Sequence, residues 1–333
     1  MEAPVKVAVY GLGPIGRRVV AMAARKSSLK LVGAVDNSPA IAGRALADVV
    51  AGVGLGAPVA KSLAELLARC SPEVVLHATG SRLAQVYSQF NELIDRELNV
   101  VSTCEEASYP ASDEAESLTA DLDRLCRDRG VRLLATGVNP GFAMDVWPLL
   151  ATAVHGECRR VWVHRVVDAA SRREPLQRKI GAGLSREEFG RLVAAGAIGH
   201  VGLQSSAFML AAGLRSQVVS LTESIEPVMA KQTVQTQYMA VQAGQVAGLR
   251  QELVCELSGG TELELRLEMY LGAPDPHDEV SVEGDIRTAI RVPGGFPGDQ
   301  ATAAVVTNVV GRLLRCQPGY RTMLDLPLFG CLP

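Results

Sequence analysis

The chain has 333 residues, with 33 Lys and Arg against 36 Asp and Glu and a formal net charge of -3. It is long enough for two domains and carries no basic excess, which argues against nucleic acid as a partner. Hydrophobic residues make up 48% but aromatic ones only 4%, so the core must be built from Ala, Val and Leu, as in α/β enzymes. No apolar run reaches the roughly 18 residues of a membrane span. The opening MEAPVKVAVYGLG enters a strand pattern too early for a signal peptide, which predicts a cytoplasmic protein with no membrane partner. The 7 cysteines are scattered without a CxxC pair, which predicts reduced thiols and neither disulfides nor a metal site.

In chain order, Val5 to Tyr10 reads as a strand, Gly11 as a turn, and Ile15 to about Ala24 as a helix. Further strands are predicted at Leu29 to Val35, Glu73 to Ala78, Asn99 to Ser102 and Arg132 to Ala135. Helical spacing separates them over Ser62 to Ala68, Leu83 to Asp95 and Asp113 to Arg129, the last opened by Ser112 as N-cap. Strands alternating with helices predict a doubly wound parallel sheet of the α/β class. After about Asp145 the pattern changes to an extended run, Arg159 to Val167, and a hairpin, Leu253 to Leu257 with Leu263 to Tyr270. Helices are predicted between them at Ser185 to Ala195, where Ser185 and Glu188 have capping-box spacing, and at Ser205 to Ala212. A final helix, Ala301 to Leu314, has no strand after it and is placed against the first domain. Residues 1–145, with 300–333 packed back on them, are thus expected to form a dinucleotide-binding domain, and 146–299 an α+β second domain.

Gly11, Gly13 and Gly16, with Leu12, Pro14 and Ile15 between them, satisfy G-x-G-x-x-G between a strand and a helix, where the backbone can approach a pyrophosphate. Asp36 ends the second strand about 20 residues later, as an acceptor for an adenosine ribose requires. An acid there favours NAD, while Asn37, Ser38 and Arg44 could accommodate the 2′-phosphate of NADP, so the cofactor is read as NAD or NADP. Thr79 and Gly80 follow the third strand and Thr103-Cys104-Glu105-Glu106 the fourth, both at the sheet edge where the nicotinamide half lies. Glu105 and Glu106 are the candidate general acid/base, the alternative being an acid pair that serves a helix N-terminus. Cys104 is either a nucleophile or, with no histidine near it in sequence, a packed thiol. His200, flanked by Gly199 and Gly202, is either exposed in a cleft or structural; Phe142, Trp147, Phe208 and Phe296 are candidates for a pocket wall.

The series GLGPIG, VSTCEEASYP, TGVNPGFAMDVWP, DAASRREPLQRKIGAGL, AIGHVGL and GDQATAAVVTN resembles the 2,4-diaminopentanoate dehydrogenase family, which includes the native amine dehydrogenases and is related in fold to dihydrodipicolinate reductase. The resemblance implies reversible oxidative deamination of an amine to a ketone or aldehyde plus ammonia with NAD(P). It also implies a homodimer whose second domain holds substrate and much of the interface. By position it places the catalytic glutamate in the Glu105-Glu106 pair and puts Asn139, Phe142, Trp147, Arg165 and His200 near cofactor or substrate. Analogy with the Glu-Lys-Pro segment of sugar dehydrogenases points to Glu106 while leaving Glu105 open. Arg165 or His200 could hold a substrate carboxylate. Val167 and Phe296-Pro297 depart from the family pattern and argue for a less charged substrate. The rival readings are a dihydrodipicolinate reductase-like imine or enamine reductase, whose paired histidines and Ser-Gly-Thr site are missing, and a dinucleotide-binding protein without turnover.

Overall fold

The structure is a computed structural model that describes residues 3–331. The chain divides into two units, one running to Phe142 and resuming at Pro297, the other formed by Ala143–Phe296.

The first unit opens with β1 (Val5–Tyr10), α1 (Pro14–Ala23) and β2 (Leu29–Val35). Two short helices, α2 (Leu46–Val49) and α3 (Leu63–Leu67), lead to β3 (Val74–His77), α4 (Leu83–Asp95), β4 (Asn99–Ser102), α5 (Asp113–Asp128) and β5 (Arg132–Ala135). All pair in parallel in the order β5-β4-β3-β1-β2, the doubly wound arrangement expected. Strand residues such as Val75, Val100 and Leu133 are buried because helices cover the sheet: Phe90, Leu93 and Ile94 of α4 and Leu122 of α5 pack with them. Each such side chain contributes about 1.5–3 kcal/mol on burial. Ser112 caps α5 by accepting the Ala115 N–H at 3.2 Å. Strand order reverses between β1 and β3, which leaves a crevice at their carboxyl ends.

The second unit contains α6 (Val146–Thr152), β6 (Cys158–Asp168), α7 (Glu174–Lys179), α8 (Arg186–Ala194), α9 (Leu203–Gly213), β7 (Val218–Met229), β8 (Val234–Gln235), β9 (Ala240–Val241), β10 (Val246–Leu257), β11 (Glu262–Tyr270), β12 (His277–Gly284) and β13 (Arg287–Pro293). Its main sheet has the order β13-β12-β6-β11-β10-β7 and is antiparallel except between β6 and β11. Alternation along β6 buries Val161, Val163 and Arg165, opposite Leu263, Leu265 and Leu267 of β11. The other face is polar, with Trp162 Nε1 donating to Glu264 and Arg266 bonded to Glu252 and Glu264. Ser185 and Glu188 form the anticipated capping box of α8.

The chain then returns to the first unit with α10 (Gly298–Asn308), α11 (Val310–Leu313) and β14 (Gly319–Arg321). The expectation of one helix to Leu314 with no strand after it is corrected here. The helix breaks at Val309, and β14 adds to the parallel sheet beside β5 as its sixth strand. This strand has three residues and is held by distant groups: Tyr320 N–H donates to Asp123 at 3.0 Å and its hydroxyl to the Ala107 carbonyl at 2.8 Å. Among the described residues no helix is long and apolar enough to cross a membrane, and no cluster of His, Cys, Asp or Glu could hold a metal ion.

Candidate active site

The three glycines of the first turn serve three different ends. Gly11 has φ +94°, and a Cβ there would lie 2.6 Å from the Ala78 carbonyl oxygen on the neighbouring loop. Gly16 lets α1 close on the turn, since a Cβ would meet the Gly11 carbonyl oxygen at 1.8 Å. At Gly13 a Cβ would meet nothing within 4 Å: the residue borders open space. Gly13 is also the N-cap of α1, has no side chain to satisfy the first-turn N–H groups, and is followed by Pro14 and the half-buried Ile15. An open helix N-terminus of this kind suits an anion.

Asp36 stands just beyond β2. Its Oδ2 accepts the Leu12 N–H at 2.7 Å and its Oδ1 the Ser38 N–H at 2.8 Å, which fixes the carboxylate against the glycine turn. Asn37 is exposed beside it. Arg44 turns its guanidinium to the Asp48 carbonyl at 3.4 Å. These residues fit a dinucleotide: an uncluttered helix N-terminus for the pyrophosphate and a fixed carboxylate for the ribose.

The loops after β3 and β4 are tied to each other. Glu106 donates its N–H to the Ser81 carbonyl at 3.1 Å, accepts the Leu83 N–H on Oε2 at 2.8 Å and pairs through Oε1 with Arg82 at 3.1 Å. Leu83 is the first residue of α4, so Glu106 serves that helix's N-terminus, where a carboxylate is favoured by both hydrogen bonding and the helix dipole. Both its carboxylate oxygens thus accept hydrogen bonds from the start of α4. Glu105, the half-buried neighbour, has its carbonyl bonded by the Ser108 N–H and hydroxyl, which curls the loop back on itself. Cys104 is wholly buried, and burial pushes its thiol up to about 12, the environment of a packed thiol. Thr79 is exposed and donates its hydroxyl to Gln89; Gly80 sits against Val86. Asn139 and Phe142 follow β5 at the same sheet edge, where Gly141, at φ +125°, approaches Thr136 so closely that a Cβ would lie 2.3 Å from its hydroxyl.

In the second unit the sequence-predicted residues gather around one ion pair. Arg165 is 4% exposed and bonds Asp278 at 2.8 Å and the Phe296 carbonyl at 2.8 Å, while the Phe296 N–H donates to Asp278 at 2.6 Å. Burial opposes both charges, lowering the Arg165 pKa and raising that of Asp278, and each partner holds the other ionised. Phe296 meets Trp147 edge to face at 5.4 Å. His200 donates its backbone N–H to Gln251 at 2.7 Å, and its Nε2 is buried without a hydrogen-bond partner. Burial, reinforced by the charges of Lys179 and Arg165, pushes its pKa down to about 3, so the ring is neutral. The Arg165 guanidinium is thus paired with Asp278, and the His200 ring carries no charge. Asp278, which fixes both Arg165 and Phe296, went unnoticed in the sequence: it lies 113 residues from Arg165 within an ordinary acidic run.

A family model described as "2,4-diaminopentanoate dehydrogenase C-terminal domain" matches residues 142–332, and one described as "Dihydrodipicolinate reductase, N-terminus" matches residues 5–123. The chain is 29% identical to a 2,4-diaminopentanoate dehydrogenase of Acetoanaerobium sticklandii, over 97% of this chain and 94% of that relative. Among solved structures, an amine dehydrogenase from Mycobacterium smegmatis superposes with a TM-score of 0.87 at 23% identity, over 98% of this chain and 97% of that one. A dihydrodipicolinate reductase from Paenisporosarcina sp. TG-14 gives a TM-score of 0.53 at 15% identity, over 97% and 98% of the two chains.

Proposed function

Because the chain belongs to the 2,4-diaminopentanoate dehydrogenase family, we propose that it catalyses the reversible, NAD(P)-dependent oxidative deamination of an amine to a ketone or aldehyde with release of ammonia. The observation that carries this reading is local. A dinucleotide cradle, formed by Gly11, Gly13, Pro14, Ile15, Gly16 and Asp36 with Asn37 and Ser38 beside it, shares one sheet edge with a loop that bears Glu105. Thr79, Gly80 and Asn139 border the same edge and are assigned to the nicotinamide half.

When bound, the nicotinamide supplies the hydride acceptor. Glu105 is assigned as the general acid/base, since Glu106 is held by Arg82 and Leu83. Its carboxylate takes a proton from the substrate ammonium, which frees the nitrogen lone pair that expels hydride from the adjacent carbon. After releasing that proton to solvent, the carboxylate takes a proton from the water that adds to the iminium carbon and passes it to the departing nitrogen. The balance is amine as ammonium ion, oxidised dinucleotide and water giving carbonyl compound, reduced dinucleotide, ammonium ion and one proton.

For the substrate, Trp147 and Phe296 offer an aromatic wall, with Phe142 assigned to substrate from its place after β5. With Arg165 paired and His200 neutral, the preferred amines are small or medium and uncharged beyond the reacting nitrogen, because a desolvated carboxylate would lack a partner at either residue. The protein is read as a homodimer; a monomer by analytical ultracentrifugation would contradict that. The testing experiment offers ketones and aldehydes with ammonia and either NADH or NADPH and follows loss of the reduced cofactor. Ammonia-dependent oxidation of cofactor is expected with alkyl ketones. Consumption only with cyclic imines or enamines, independent of ammonia, would favour the reductase reading, and binding without turnover the non-catalytic one.

A further inference from the structure

Beneath the two tied loops lies a buried histidine outside the mechanism above. His77 ends β3, is 1% exposed, and has its ring against Tyr10 at 5.7 Å and Phe90 at 4.9 Å. Nδ1 lies 2.9 Å from the hydroxyl of Ser102, which ends β4; Nε2 lies 2.7 Å from Gln89 Oε1 on α4 and 2.8 Å from the Thr79 hydroxyl. The Gln89 oxygen only accepts, so Nε2 carries the hydrogen and Nδ1 accepts from Ser102. The Ser102 oxygen in turn accepts the Cys104 N–H at 3.0 Å. One ring thus connects the loop after β3, through Thr79, with the loop after β4, through Ser102 and Cys104. Burial lowers its pKa to about 4, so at neutral pH the ring is uncharged and makes these bonds in its neutral form.

A residue serving only as filling between Tyr10 and Phe90 would need none of these bonds, and an aliphatic side chain would avoid desolvating two ring nitrogens. Instead, both nitrogens are satisfied by groups on different elements. We propose that His77 is a positioning residue, which locks the loop after β4 in register with the loop after β3 and so sets the place of Glu105, adjacent to Cys104. Glu106 performs the corresponding tie between the two loops through Ser81, Arg82 and Leu83. The proposal rests on the assignment of Glu105 above. A displacement of about 1 Å at a reacting group is sufficient to cost ~10²-fold in rate.

The test compares His77→Leu, His77→Asn, Ser102→Ala and the His77→Leu/Ser102→Ala double variant with the wild type, below the melting temperature of each. In hydrogen exchange, Ser102→Ala should speed the amides of residues 103–106, and His77→Leu those of both 79–82 and 103–106. Steady-state kinetics should give a roughly 10- to 100-fold lower kcat for His77→Leu and Ser102→Ala, with NADH affinity unchanged. The double variant should be no worse than the worse single one, because both act on one chain of bonds. His77→Asn keeps an acceptor near Nδ1 and should recover most of kcat. Unchanged exchange at 103–106 in His77→Leu, unchanged kcat in the single variants, or losses that multiply in the double variant would each overturn the proposal. If the wild type turned over no amine, the proposed function would fall, while the exchange data would still decide whether His77 links the loops.

Discussion

At the residue scale, the proposed function gives the neighbours Glu105 and Glu106 different tasks. The Glu106 oxygens accept from Arg82 and from the Leu83 N–H, and the Glu105 carboxylate is assigned the proton transfers. Glu105→Gln should therefore lower turnover in both directions by ~10²- to 10⁴-fold with dinucleotide affinity retained. Glu106→Ala should lower the melting temperature, by the equivalent of about 1 kcal/mol as for other lost helix caps, and change turnover much less. Steady-state rates and thermal melts on the two variants check both; the reverse ranking of turnover would return the role to Glu106. Cys104 supplies a second prediction. With its thiol pushed up to about 12, it should resist alkylation in the native protein at neutral pH, while exposed Cys331 reacts and activity persists. Mass mapping of alkylated peptides reads this directly, and modification of Cys104 with loss of activity would reopen the nucleophile.

The sequence could narrow the acid to a pair but not choose within it, because the deciding partners, Arg82 and Leu83, lie 24 and 23 residues away. Arg165 illustrates the same limit in the opposite direction. Alternation groups it with Val161 and Val163 on one face of the strand, but the burial of that face and the partner Asp278, which reaches Arg165 only through the sheet, are not written in the local sequence.

At the scale of elements, the strand-turn-helix unit of β1 and α1 makes a graded prediction. Gly13→Val adds a side chain in open space, so the protein should fold normally and lose dinucleotide binding. Gly16→Ala forces a Cβ into the Gly11 carbonyl and should cost at least the about 1–3 kcal/mol typical of overpacking. Thermal melts and fluorescence titration with NADH separate the two; a Gly13→Val variant that binds normally would contradict the cradle. Asp36→Ala should weaken NAD more than NADP, since only the former presents a ribose hydroxyl to the acid. Elements of this first unit were legible because these strands are short, mostly apolar runs: Val5–Tyr10, Leu29–Val35, Asn99–Ser102 and Arg132–Ala135 stand where periodicity puts them. In the second unit β7, β12 and β13 were not anticipated. Each has a solvated face rich in Glu, Ser and Arg, so the apolar signal is halved, and β7 carries Pro227 on an edge strand that tolerates it. The three-residue β14 has no local signal at all, because contacts with Asp123, Ala107 and β5 hold it in place.

For the whole molecule, two buried neutral histidines shape the response to acid. His77, lowered to about 4, and His200, lowered to about 3, both remain unprotonated in the fold at pH values where a free imidazole binds a proton. Below about pH 6.5 the unfolded chain therefore takes up protons that the native chain does not, and stability falls as pH drops toward 4. Above about 6.5 both states are neutral at these sites and their contribution is level. Each histidine adds a limiting slope of about 1.4 kcal/mol per pH unit within its window. The melting temperature should accordingly rise from pH 4 to 6.5, and less steeply in His77→Leu than in the wild type. Parallel profiles would mean that His77 is not neutral in the fold.

In the proposed function the glycine cradle and the Glu105 loop together remove hydride and nitrogen from one carbon. The most direct measurement counts ammonia. Purified protein given a primary alkyl amine with NAD or NADP should release one ammonium ion for each dinucleotide reduced, and Glu105→Gln should lower both in step. Dinucleotide reduced without ammonia, or with an alcohol or sugar in place of the amine, would contradict it.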